Sequence, residues 1–103
     1  MPEEDKRLLS LDEIDQSLSL LQGWQRENSL LKKEFTFSNF REITSFLNHL
    51  VQTITLQNHH PDFAVDTTKK QIQLTVTTHS KKAITRADLL FVQTLEAWKK
   101  DTV

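Results

Sequence analysis

The chain has no cysteine, and only one glycine and two prolines in 103 residues. Without thiols there are no disulfides and no thiolate metal sites, and the composition fits a reducing compartment. A single glycine excludes the glycine-rich loops that cradle phosphates, and no serine stands in a glycine-flanked nucleophile elbow. No apolar run approaches the ~20 residues that a membrane span needs. The first seven residues, Met1 to Arg7, are charged and lack an apolar signal core. An intracellular protein is therefore expected, cytoplasmic, with the nucleus as the second candidate. Thirteen basic residues face 14 acidic ones, for a net charge of −1 with histidine neutral. No basic stripe is present, so nucleic acid binding by charge is not expected. The apolar fraction is 37%, below the usual ~45–50%. One small domain of this length buries roughly 60–70% of the surface of its unfolded chain, so an economical core completed by subunit contacts is expected. There is no internal repeat and no low-complexity segment.

The apolar spacing supplies the elements. Residues 1–9 read as a mobile tail and residues 10–103 as one domain. Ser10 with Glu13 three residues on is a capping-box signature. Leu11, Ile14, Leu18 and Leu21 then share one helical face, and Gly23 is placed to end the helix through a left-handed turn. Trp24 to Glu27 reads as a short strand, Asn28-Ser29 as a turn, and Leu30 to Phe37 as a half-buried alternating strand. Ser38 is placed to cap a second helix whose stripe is Phe40, Ile43, Leu47, Leu50 and Ile54; Phe35, Phe37 and Phe40 are expected in the core. That helix must end before His60, because the residue before a proline avoids the α region. Phe63 to Asp66 and Gln71 to Thr78 read as a hairpin. A third helix runs from Thr85 to about Lys100, with Ala87, Leu90, Phe91, Leu95 and Trp98 as its stripe. Leu89 and Val92 lie off that stripe and suggest a second packing partner. The order αββαββα, with hairpin-length connections, implies an α+β fold: a four-stranded antiparallel sheet with three helices on one face.

The chemistry concentrates in about thirty residues: His59-His60-Pro61-Asp62-Phe63, then Thr77-Thr78-His79, then Asp88. Histidine titrates nearest neutral pH, so such a group can both give and take protons. Pro61 forces His60 extended, and neighbouring side chains on extended backbone point to opposite sides, so His59 and His60 need not share a role. His79 ends a strand, where sites often sit. Asp88 has two readings. Thr85-x-x-Asp88 has capping-box spacing, so the carboxylate can simply close the third helix, or it can belong to the histidine site. The two are compatible, because an acid is favoured in a first helical turn anyway. Asp62 suits orienting a histidine or binding a ligand amine, and equally suits a solvated strand start. Trp24 can stack on a flat heterocycle or simply fill a hairpin core. A metal is not expected: vicinal histidines serve one ion poorly, and no His-x-x-x-His or Glu-x-x-His pair occurs.

These residues, with Gly23-Trp24 and Phe35-x-Phe37-x-x-Phe40 upstream, resemble the pterin-4a-carbinolamine dehydratases, over roughly residues 10 to 100. That family carries a His-His-Pro-acid-aromatic run, a strand ending Thr-His, and an Asp nine residues later. The sequence departs from the family pattern in several places. Thr55 and Asn58 stand where acids are usual, and Phe63 where Trp is common. The hairpin is two residues longer and lacks its usual Tyr. The loop Ser80-Lys81-Lys82-Ala83 is more basic.

The resemblance implies dehydration of 4a-hydroxytetrahydrobiopterin to quinonoid dihydrobiopterin, with no cofactor and no metal. It implies His59, His60 and His79 as catalytic residues, and Asn58, Pro61, Asp62, Thr77, Thr78, Asp88 and Trp24 as substrate-binding residues. It implies a dimer of dimers, with no nucleic acid or membrane contacted directly. It also leaves a second function open: an animal member of the family is a dimerisation cofactor for a homeodomain transcription factor, through a helical surface that Leu89 and Val92 would fit.

Overall fold

A computed structural model describes residues 7–98. The element order is α1 (Leu11–Leu18), β1 (Gln25–Glu27), β2 (Leu30–Thr36), α2 (Phe40–Gln57), β3 (Asp62–Asp66), β4 (Gln71–Val76) and α3 (Arg86–Glu96). The strands form one antiparallel sheet in the order β1-β2-β4-β3. Alternation decides which face is covered. Leu31, Ile72, Leu74 and Val76 are fully buried beneath the helices, whereas Lys32, Glu34, Thr36 and Gln73 between them face outward. The expected α+β architecture is the one observed.

Helix α1 starts as its sequence requires. The Ser10 hydroxyl accepts from the Glu13 N–H, and the Glu13 carboxylate accepts from the Ser10 N–H, both at 3.1 Å. The helix ends at Leu18, with Ser19 as its cap, rather than at Gly23. Gly23 serves the turn into β1 instead: its φ is +85°, and a Cβ there would lie 3.0 Å from Lys33 Cε. The two residues before Ser10 and Arg7 itself are not the detached tail expected from composition. Leu8 bridges to Thr85, the Arg86 N–H donates to the Arg7 carbonyl at 3.0 Å, and Leu9 packs on the core. Residues 1–6 of the expected tail lie outside the described residues.

Asn39, not Ser38, caps α2. Its side-chain oxygen accepts from the Glu42 N–H at 2.9 Å, and Glu42 reaches back to the Ser38 N–H at 2.7 Å. The buried stripe is correspondingly rotated to Ile43, Phe46, Leu50 and Thr53, with Leu47 and Ile54 on its flanks. Phe40, expected in the core, is the first helical residue and is 57% exposed. Phe46 takes its place, with its ring centroid 4.6 Å from Phe35, 5.3 Å from Phe37 and 5.3 Å edge-on from Trp98.

Helix α3 buries Ala87, Asp88, Leu89, Phe91, Val92 and Leu95. Leu89 and Val92 therefore complete this chain's own core and are not left for a partner. A helix apolar on most sides is a buried helix, and the segment formed by Arg7 and Leu8 helps to cover this one at its start. The end of α3 comes at Glu96, short of the expected Lys100, which lies outside the described residues. Tight turns place the Ala97 and Trp98 N–H groups on Thr94 and Leu95, and His49 of α2 sets Nε2 3.0 and 3.2 Å from the carbonyls of Thr94 and Leu95. These contacts satisfy carbonyls that a helix end leaves without intrahelical partners.

The difference between the two phenylalanines is measurable. Phe46→Ala should cost about 3–5 kcal/mol in chemical denaturation, and Phe40→Ala less than about 1 kcal/mol, as surface changes do. The α1 cap should also respond to acid. The Ser10 backbone N–H, and then its hydroxyl, hold the exposed Glu13 carboxyl below its usual value. A lowered folded-state value stabilises above the unfolded carboxylate pKa, ~4.3, and that contribution disappears as pH falls through the folded value. Protection of the Ser10 amide, its exchange rate relative to an unstructured chain at the same pH, should fall over that acid range in the wild type, and Glu13→Gln should flatten the dependence.

Candidate functional site

Register brings the two histidine motifs together. In the β3–β4 hairpin, Asp62 lies opposite Thr75. Continued past the strand, that register runs His60-Pro61 beside Val76-Thr77, with His59 and Thr78 next in line. At the other end of the motif, α2 closes on Asn58, whose φ of 51° is left-handed. Asparagine tolerates this conformation because its short polar side chain can bond locally. It turns the chain sharply, so that His59 points back into the protein while the chain runs on into β3.

His59 is 4% exposed, and its Nε2 is 2.5 Å from Asp88 Oδ1. Its ring meets Phe91 edge-on, with centroids 5.8 Å apart. Asp88 itself is fully buried. Its Oδ2 accepts from the Thr85 backbone N–H and from the Thr78 hydroxyl, each at 2.8 Å. The Thr78 and Thr85 hydroxyls are 2.7 Å apart. A buried carboxylate is costly unless donors surround it. Here they come from three separate segments: the α2–β3 connection, the end of β4 and the cap of α3. Asp88 closes the helix with one oxygen and holds an imidazole with the other.

The remaining candidates divide by exposure. His60 is exposed and Pro61 is buried. His79 stands in the solvent, with Nε2 3.7 Å from Asp62 Oδ2; the two side chains are 70% and 76% exposed. That is an ion-pair distance when the ring is charged, but too long for a hydrogen bond. The turn carrying His79 is fixed by its own backbone: Thr78 N–H donates to Ala83, Lys81 N–H to Thr78 and Lys82 N–H to His79, at 3.1–3.2 Å. Thr77 is buried, and its hydroxyl donates to the Ser29 carbonyl at 2.6 Å, tying this turn to the β1–β2 turn. The segments 58–62, 77–79 and 85–88 thus converge, with one buried histidine and two exposed ones.

Trp24 belongs to a different cluster. It is buried, packs edge-on against Phe35, and donates from its ring N–H to Glu96 at 2.6 Å. Lys33 meets the same carboxylate at 2.5 Å and also donates to the Gln22 carbonyl at 2.8 Å. The fourth histidine, His49, is taken up by α3. Thr85 is the residue whose side chain sequence reasoning underrated. Its spacing to Asp88 marks it as a cap, whereas its hydroxyl contact with Thr78 needs the tertiary fold. Among the described residues no group of three or more His, Asp or Glu is arranged to hold a metal ion.

Known proteins resemble this chain along most of its length. The family model described as pterin 4 alpha carbinolamine dehydratase matches residues 7–98. A Metallosphaera sedula protein named "Putative pterin-4-alpha-carbinolamine dehydratase" is 38% identical over 92 residues, covering 89% of this chain and 94% of its own. A Nostoc punctiforme protein of the same name is 34% identical over 93 residues, covering 90% and 98%. Among solved structures, a transcriptional coactivator/pterin dehydratase from Brucella melitensis superposes with a TM-score of 0.80 at 22% identity, covering 88% of this chain and 97% of that one. A pterin dehydratase-like protein described as a RuBisCO assembly factor in the alpha-carboxysome gives 0.59 at 20% identity, covering 72% and 83%. At those identities the structures speak for the fold. The family model and the sequence relatives go further, and the chain belongs to the pterin 4 alpha carbinolamine dehydratase family.

Proposed function

We propose that the protein dehydrates 4a-hydroxytetrahydrobiopterin to quinonoid dihydrobiopterin, a step that recycles tetrahydrobiopterin after aromatic hydroxylation. One observation carries the reading: a buried, carboxylate-backed His59 beside a motif segment that presents His60 and His79 to solvent. The reaction breaks the C4a–oxygen bond and the N5–H bond. An acid gives a proton to the departing hydroxyl, which leaves as water. A base takes the N5 proton, and the N5 electron pair forms the C4a=N5 bond. Imidazoles serve both steps, each contributing ~10²–10⁴-fold. His59, oriented by Asp88, suits the base. His79 suits the acid, since its protonated ring has Asp62 at ion-pair distance. His60 binds or orients the pterin. Asp88 acts on His59 rather than on the substrate, because its oxygens are occupied and it has no exposure.

A second reading, a protein-interaction module, draws on exposed apolar surface. Val51 and Leu56 of α2 are 55% and 66% exposed, and with Gln52 and Thr55 they line a depression of about 340 Å³. Phe63 and Val65 are also exposed, on β3, which is an edge strand. An edge strand leaves one row of backbone groups unpaired and invites a partner. With Leu89 and Val92 inside the core, this surface is the one suited to a homo-oligomer, a dimer of dimers in the reading taken from the family, or to a protein partner.

Both readings are testable. Stopped-flow dehydration of carbinolamine generated in situ by a hydroxylase should slow by about 10²-fold or more in His59→Ala and in His79→Ala, with less than additive loss in the double variant. His60→Ala should act mainly on KM, and a chelator should change nothing. Full activity in the double variant, with circular dichroism unchanged, would overturn the acid–base assignment, and loss of wild-type activity on chelation would point to a metal. Light scattering at micromolar concentration should report an oligomer that Leu56→Glu dissociates; a wild-type monomer there would remove the assembly from the proposal.

A further inference from the structure

Charge is spread unevenly along the chain, and the histidine motifs lie in its basic part. Residues 43–88 hold five of the thirteen basic residues but three of the fourteen acids. No Asp, Glu, Lys or Arg stands between Glu42 and Asp62. Of the three acids, Asp88 is buried, and Asp66 pairs with Gln71 at the far end of the β3–β4 hairpin. Asp62 alone is an exposed acid at the motif, with Oδ2 3.7 Å from His79 Nε2.

The five basic residues divide by position. Arg86, with Arg7, lies within electrostatic reach of Glu13 at the start of α1. Lys69 and Lys70 occupy the hairpin turn, beyond the Asp66–Gln71 pair. That pair is four strand residues from Asp62–Thr75, or about 13 Å, which exceeds the ~8–10 Å over which exposed charges act in salt. Lys81 and Lys82 are the pair beside the histidines. The Lys82 N–H donates to the His79 carbonyl at 3.2 Å, a turn that keeps the two Cα atoms within about 7 Å. Both lysines are exposed, and neither has an ion-pair partner among the described residues. Lysines on a turn are ordinarily plain solvated charges. Here they stand next to exposed imidazoles with one carboxylate to balance them, on a chain whose net charge is −1.

We propose that Lys81 and Lys82 are specificity-determining residues that select a pterin whose side chain carries an anion, either a phosphate ester or a carboxylate. The inference deepens the dehydratase reading and rests on it for the ring it names. The ring meets the imidazoles, and the negative end of its side chain meets the 79–82 turn. The lysines touch no reacting atom, so they act on binding. A phosphate ester brings a charge of about −1.5 to −2. One exposed ion pair multiplies an affinity by up to about fivefold, so the two lysines together should give about fivefold to tenfold.

Neopterin and neopterin monophosphate differ by the phosphate alone, and their own fluorescence reports binding. At low salt the monophosphate should bind the wild type about fivefold to tenfold more tightly. Pterin-6-carboxylate against 6-hydroxymethylpterin supplies the second arm: a gain there too assigns any anion, and a gain with phosphate alone assigns the ester. The gain should vanish in the Lys81→Gln, Lys82→Gln double variant and, without any substitution, at about 0.5 M salt. It should survive in Lys69→Gln, Lys70→Gln, which removes the same charge at the other end of the hairpin. In turnover the preference should appear in KM with kcat unaltered. Equal affinities for each matched pair in the wild type would overturn the proposal. So would a gain that persists in a folded Lys81, Lys82 variant, or one that the Lys69, Lys70 variant loses equally. Stopped-flow turnover of the neutral carbinolamine separates this inference from the reaction. Turnover without anion preference refutes the selection and leaves the dehydratase reading standing. Preference without turnover refutes the reaction and keeps the selection, and a protein that binds none of these pterins refutes both.

Discussion

A buried carboxylate at the start of α3 constrains more of this molecule than any other single group. Asp88 has no exposure, so its charge depends on the donors around it. Those donors are the N-cap backbone of its own helix, a hydroxyl just past the end of β4 and the Nε2 edge of an imidazole from the α2–β3 connection. The three come from separate stretches of the sequence. Satisfying all of them at once fixes how α3 starts against the sheet and where the segment after α2 must pass. The same network that stabilises the helix start therefore also orients a histidine.

The platform around that group is stiff because its connections are short and internally bonded. The left-handed Asn58 ends an eighteen-residue helix and turns the chain within a residue. Pro61 holds the next step extended. The β3–β4 register then sets the His60 segment beside the Thr78 segment. The result is a mixed environment. One imidazole is shielded and backed by a carboxylate, and others are exposed at the surface. Proton-transfer chemistry benefits from such a division, since groups in different surroundings perform different tasks.

The low apolar content is met by multiple use of each large side chain. Phe46 touches three aromatic partners, and Trp24, Lys33 and Glu96 form a latch from the β1 entry through β2 to the end of α3. Gly23 stands where that latch passes, and a Cβ there would come within 3.0 Å of Lys33 Cε. What the core does not use is left outside on α2 and the β3 edge, including Val51, Leu56, Phe63 and Val65. The histidine cluster and the apolar surface thus draw on different side chains, so the two proposed functions do not compete for residues.

The sequence by itself determined the elements and their order. Period-two alternation in β2 and β4, the Ser10–Glu13 capping box and Pro61 are local signals, and local geometry obeys them. The candidate site was legible as a set of residues, because the His59–Pro61, Thr78-His79 and Asp88 motifs are written in the chain. Which of them the fold buries and which it exposes was not. Whether Phe40 or Phe46 enters the core depends on how α2 is rotated against the sheet, a matter of packing that a stripe with two near-equivalent phases leaves open. Leu89 and Val92 lie off the predicted α3 stripe, yet other parts of the chain cover them. Asp88 could cap a helix or serve a site on spacing alone. Only the tertiary structure sets the cap against His59 and Thr78, by burying the carboxylate where donors from three separate segments meet. Burial is a property of the whole fold, and it is burial that turns a capping residue into the partner of a histidine.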